Sequence, residues 1–179
     1  MKKISVIALF LAAILSLTAF VSCGEKKEEI EAPDGMILAS GEDVDYLMFV
    51  PETWKVDRSD LYTSAYFSSG DATSISVTAH NITGGAATLD EWWKSFCDEA
   101  KTVYGEFTEV DTKKAKLDGV EGKEYTFTAK LGEAQYNYII TAVIKDYYVY
   151  YVTYTSTPDY YEDHLEELKT VIEAFEFKK

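Results

Sequence analysis

Histidine and cysteine are both scarce in this chain, with two of each among 179 residues. His80 and His164, with Cys97, are therefore the only residues from which a nucleophile–base pair could readily be drawn. The patterns Gly-x-Ser-x-Gly, His-Glu-x-x-His and the P-loop are all absent, so the common hydrolase, zinc-protease and nucleotide-binding readings have no starting point. Positive charge is short as well: 17 Lys+Arg stand against 31 Asp+Glu, for a formal charge of −14. A chain with that balance has no footprint for nucleic acid. Neither an internal repeat nor a low-complexity tract occurs. No proline- or glycine-rich break follows Met36, and the stretch from there to Lys179 is of ordinary size for one domain.

What is present begins at the N-terminus. Lys2 and Lys3 precede an uncharged, mostly apolar run from Ile4 to Val21, broken only by Ser5, Ser16 and Thr18. That is an export signal. The run is also just long enough to cross a bilayer, so an uncleaved anchor is the alternative reading. Phe20-Val21-Ser22-Cys23 resembles the lipobox of bacterial lipoproteins, with Phe20 where Leu is usual. The resemblance implies cleavage before Cys23 and lipidation of its thiol, which gives a membrane partner through several acyl chains. Either way, positive charge stays in the cytoplasm and the acidic chain faces the extracytoplasmic side.

Cleavage after residue 22 removes two lysines and no acid. The 17 basic residues fall to 15 while the 31 acids remain, and the charge moves to about −16. Residues 23–35 are dense in charge and read as a lipidated cysteine with a flexible tether of about 20 Å. Residues 36–179 are read as one domain. With Cys23 assigned to lipid, Cys97 has no internal partner, and the fold must hold without a disulfide.

Met36 to Ala39, Val44 to Val50, Leu61 to Ser68 and Ser74 to His80 are strand-like, with Pro51-Glu52-Thr53-Trp54 as a corner. Thr88-Leu89-Asp90-Glu91 is a capping box, and Leu89, Trp92, Trp93, Phe96, Ala100 and Val103 follow at helical spacing. A meander from Phe107 to Thr155 turns at Asp118-Gly119, near Gly132 and at Lys145-Asp146. Its strand Tyr147 to Thr155 carries apolar or aromatic residues on both sides, as a strand covered on both faces does. A second helix is expected from Asp159 to Glu173.

The order is an α+β fold, an antiparallel sheet flanked by helices. It resembles the family of PsbP and the Ran-binding Mog proteins, in particular its bacterial lipoprotein members. The residues that carry the resemblance are Val50-Pro51-Glu52-Thr53-Trp54, the helix at Leu89, Val152-Thr153-Tyr154-Thr155, and the closing Ile172-Glu173-Ala174-Phe175-Glu176-Phe177. It implies a PsbP-like α/β/α sandwich without a shared catalytic motif.

Among candidate chemistry, Cys97 lies in the helix register and reads as a buried thiol; a catalytic role needs a histidine beside it. Asn81-Ile82-Thr83-Gly84-Gly85 before a helix could cradle phosphate, but Asp90 and Glu91 oppose an anion there. Glu42, Asp43 and Asp45, and Asp159, Glu162 and Asp163, offer oxygen ligands without EF-hand spacing, so no metal or cofactor is assigned. Fourteen tyrosines exceed what a core needs, because each hydroxyl wants a partner. Some are expected at the surface. Trp54, Tyr148, Tyr150 and Tyr154 are the candidates for gripping a protein partner or glycan. The expectation is a non-enzymatic binding or accessory module. A glycan, small-molecule or cation binder beside a transporter is the first alternative, and an envelope hydrolase using Cys97 the second.

Overall fold

A computed structural model describes residues 30–57 and 63–179. The signal, Cys23, the first part of the tether and the start of the strand expected from Leu61 lie outside the described residues. Among the described residues no helix is long and apolar enough to cross a membrane. Ala32–Lys179 form one compact unit.

Two short ribbons come from the chain ends. Strand β1 (Met36–Leu38) pairs with β3 (Phe49–Pro51), and β2 (Tyr46–Leu47) pairs with the closing β11 (Glu176–Phe177). The main sheet is antiparallel and seven-stranded, in the order β4 (Lys55–Asp57), β5 (Thr63–Tyr66), β6 (Ser74–Asn81), β10 (Tyr148–Ser156), β9 (Ala134–Lys145), β8 (Val120–Leu131), β7 (Gly105–Leu117). Helix α1 (Leu89–Val103) carries the chain from β6 to the far edge at β7, and α2 (Leu165–Ala174) follows β10.

The local signals explain the elements. Thr88 Oγ1 accepts from the Glu91 amide while the Glu91 carboxylate accepts from the Thr88 amide, so the capping box starts α1 where the sequence puts it. The turn between β7 and β8 places Asp118 at φ +46° and Gly119 at φ +74°, the left-handed pair that a two-residue hairpin requires. The β9–β10 turn is Asp146-Tyr147, one residue later than the sequence suggests, with Asp146 at φ +56°.

Both faces of the central strands are covered, and the alternation on β9 shows how. Tyr138, Ile140 and Ala142 lie under α1 with Trp92, Trp93 and Cys97. Ile139 and Val143 point the other way, into a core shared with Leu168 and Val171 of α2 and with Met48, Val50 and Trp54 of the N-terminal segment. Strand β10 divides likewise, with Val149 under α1 and Tyr150, Val152 and Tyr154 opposite. The result is the expected α/β/α sandwich. The α1 layer is held by stacked rings: Trp93 lies 4.0 Å from Tyr125 and Phe127 lies 4.6 Å from Tyr138, pairs that each add about 0.5–1.5 kcal/mol beyond burial.

Two expectations require correction. Val103 is 69% exposed, and Cys97 takes its place on the buried stripe of α1. Helix α2 begins at Leu165, six residues after the expected Asp159, because residues 158–164 are drawn into turns. There the Tyr161 carbonyl accepts from the Tyr154 hydroxyl at 2.8 Å, and His164 is fixed by carboxylates on both sides. Tertiary partners override helical periodicity in that segment.

Gly122 shows how closely the strands approach. A Cβ there would lie 2.1 Å from the Ala142 carbonyl oxygen and 2.7 Å from Val143 Cγ1 on the neighbouring β9. Gly122→Ala is expected to destabilise the domain by about 1–3 kcal/mol through forced displacement of β9. Chemical denaturation measures it; an unchanged midpoint would mean the strands separate without penalty.

Candidate functional site

The histidines and the thiol do not come together. Cys97 is buried beneath α1, and burial, with the Glu109 carboxylate nearby, pushes its thiol up to about 11. His164 packs on the opposite face of the sheet against Trp54 and Phe67, and His80 is exposed on β6. A thiol so placed is protonated at neutral pH and is a poor nucleophile.

Most amides of the loop before α1 are already bonded. Thr83 N–H donates to Asn81 Oδ1 at 2.8 Å, Gly85 N–H to the Ile82 carbonyl at 2.9 Å, and the amides of Ala87 and Thr88 to the Glu91 carboxylate. No donor set is left pointing outward for phosphate among these. Among the described residues no three His, Cys, Asp or Glu side chains converge as metal ligands would.

His164 is instead the centre of a buried polar chain that the sequence does not announce. Its Nε2 donates to Asp71 Oδ2 at 2.9 Å and its Nδ1 donates to Glu167 Oε2. Asp71 Oδ1 accepts from the Thr73 amide at 2.9 Å and from Thr73 Oγ1 at 2.6 Å, and that hydroxyl lies 2.7 Å from Ser156 Oγ. The chain joins the start of α2, the β5–β6 connection and the end of β10. Two acceptors on one imidazole call for two donors, which only the cationic ring supplies. Burial alone would lower the His164 pKa, but the hydrogen bonds to Glu167 and Asp71 outweigh it and hold it above its ordinary value. Burial would likewise raise Asp71; the hydrogen bonds from Thr73 and His164 outweigh that and hold it below the usual carboxylate range. The His164–Glu167 spacing of three at a helix start was the one signal available in the sequence.

The aromatic candidates separate. Trp54 is 2% exposed, and its ring packs against Phe67 and His164 in the core. Tyr154 is wholly buried, and Tyr150 is 3% exposed with its hydroxyl donating to Asp45. Tyr148 alone reaches solvent, at 37%. Tyr66, Tyr147, Tyr148 and Tyr160 are exposed, as expected of some tyrosines, while five others are buried where hydroxyls find partners: Tyr46 donates to Thr63 Oγ1 at 2.9 Å and Tyr125 to the Leu89 carbonyl at 3.2 Å.

Tyr148 and Tyr150 do, however, share a cleft of about 420 Å³. The Asp43–Asp45 loop forms one wall, Tyr148 and Tyr150 the other, and Thr78 and Ala79 of β6 lie between. The loop is held in place by the chain end. Lys178 Nζ donates to the carbonyls of Gly41 (3.3 Å), Glu42 (3.1 Å) and Val44 (2.7 Å), and its amide donates to the Asp45 carbonyl at 2.8 Å. Tyr150 is wedged edge-on against Phe177, 4.9 Å away. The sequence offers the acids and the tyrosines separately; a separation of 105 residues between Asp45 and Tyr150 hides their meeting.

No protein-family model and no curated protein matches the chain. Solved structures do. The Ran-binding protein Mog1p of Saccharomyces cerevisiae superposes with a TM-score of 0.57 at 8% identity, over 79% of this chain and 95% of that one. The cyanobacterial PsbP of Synechocystis sp. PCC 6803 superposes with a TM-score of 0.53 at 13% identity, over 88% of this chain and 98% of that one. The fold is PsbP/Mog-like. At these identities the likeness is one of fold, and the function has to be argued from the site.

The His164 chain gives a pH dependence with a definite sign. Its stabilising contribution is complete below the unfolded imidazole pKa of about 6.5 and is lost as pH rises through the raised folded value. Asp71 contributes above its ordinary carboxylate range, and that contribution is lost as pH falls. Urea midpoints are expected to fall between pH 6 and pH 9 in the wild type. His164→Gln should be less stable at pH 6 and flatter across the range; a variant with the parent's slope would remove His164 as the cause.

Proposed function

We propose that the chain is a lipoprotein anchored through Cys23 on the extracytoplasmic side of a membrane, and that its domain is a non-enzymatic binding or accessory module. The partner is a protein or envelope component, received at the Tyr148 cleft. One observation carries the reading: the exposed Tyr148, the buried Tyr150 and the Asp43–Asp45 loop frame a single concavity whose walls are fixed by Lys178 and Phe177. A rigid aromatic beside a preformed wall costs little conformational entropy on binding, which is why such residues recur at binding hot spots. The Cys–His pair that the hydrolase alternative would need is not assembled. Cys97 is masked under α1 and His164 is locked between two carboxylates.

A photo-reactive phenylalanine analogue placed at Tyr148 in the full-length protein, in cells, tests this. Tyr160, which follows the other end of β10 and is similarly exposed, is the control position. Position 148 is expected to give a discrete adduct that position 160 does not, and the adduct should disappear with Cys23→Ala. Equal adducts from both positions, or none from 148, would contradict the reading.

A further inference from the structure

We propose that the Tyr148 cleft receives a cationic side chain, the guanidinium of arginine or the ammonium of lysine, presented by the partner protein; this rests on the docking role proposed above. Of the nine residues that line the cleft, two are aspartates and none is basic. An anionic group would enter against both charges. The lysines nearby are already engaged: Lys178 donates to three backbone carbonyls, and Lys145 pairs with Asp146 at 3.2 Å and sits 5.2 Å from the Phe177 ring. Among the described residues, Asp43 and Asp45 have no ion pair: the Lys178 ammonium bonds the backbone carbonyls of their loop and not their carboxylates, which keep their charge on the cleft.

The geometry favours an organic cation over a metal ion. Asp45 already accepts from the Tyr150 hydroxyl, and no third acidic side chain lines the cleft to complete a set of hard oxygen ligands. A guanidinium uses such a site differently. Its planar fork can donate to the free oxygens of Asp43 and Asp45 while its face lies on the Tyr148 ring. Tyr148 offers that face, and the buried Tyr150 backs the corner, its ring centre 5.9 Å away with the planes at 44°. Ala79, exposed and without bulk beyond Cβ, leaves the floor open between corner and carboxylates.

The test titrates the full-length protein in detergent micelles with N-acetyl-arginine methylamide, its uncharged citrulline analogue and free spermidine. The backbone amides of Thr78, Ala79 and Tyr148 are followed by NMR. The arginine probe is expected to move these amides saturably and the citrulline probe not to. Replacing both acids, Asp43→Asn with Asp45→Asn, should weaken binding about tenfold at an unchanged melting temperature, since asparagine still accepts from Tyr150. Equal binding of the citrulline probe overturns the charge requirement and leaves docking at the cleft intact. Tighter binding of spermidine overturns the assignment to a protein side chain. If no probe moves these amides, the cation proposal falls, while the adduct at position 148 judges the docking role independently.

Discussion

The constraint on which the structure depends is that the centre of its sheet is buried on both faces. Strand β10, fourth of seven, meets it by placing Val149 under α1 and Tyr150, Val152 and Tyr154 on the other side. Each layer then has a fixed task. Helix α1 must cover β8 and β9, so its stripe is built from Trp92 and Trp93, large enough to reach across several strands. The opposite face is too wide for the ten-residue α2 alone. The N-terminal segment, with Met48, Phe49 and Val50, fills the remainder. The cleft lies where β10 begins.

Covering that second face brings charge into the interior. His164 stands at the start of α2, where the helix dipole disfavours a cation, and it is buried as well. Asp71 and Glu167 compensate by accepting from both ring nitrogens, and Thr73 satisfies the remaining oxygen of Asp71. The same contacts tie α2 to the β5–β6 connection and thereby fix the helix on the sheet. Removing one partner from such a cluster leaves an uncompensated buried charge.

Features set by neighbours in sequence were legible. The Thr88/Glu91 capping box, the Asp118-Gly119 hairpin, the two-sided pattern of β10 and the α+β class all follow from local patterns and appear as expected. What the sequence hid was the destination of its polar side chains. Trp54, Tyr150 and Tyr154 have the composition of a binding surface, yet the distant Asp45 and the Tyr161 carbonyl in the turns after β10 accept from the two hydroxyls and allow the tyrosines to be interior. The start of α2 moved for the same reason, since Tyr161 and His164 answer to partners in the core. Of the aromatic candidates, Tyr148 kept its exposure because it begins β10, beyond the cover of both layers.

Mog1p and cyanobacterial PsbP share the scaffold at 8% and 13% identity, so the sandwich itself tolerates nearly complete change of sequence. Specificity in such a fold resides in the grooves and loops at its rim. The most direct measurement of the account is hydrogen–deuterium exchange of the full-length protein in its native membrane compared with the purified protein. The account predicts added protection confined to residues 43–46, 77–81 and 147–150. Protection that falls instead on α1 or on the β7 edge, with the cleft unchanged, would contradict it.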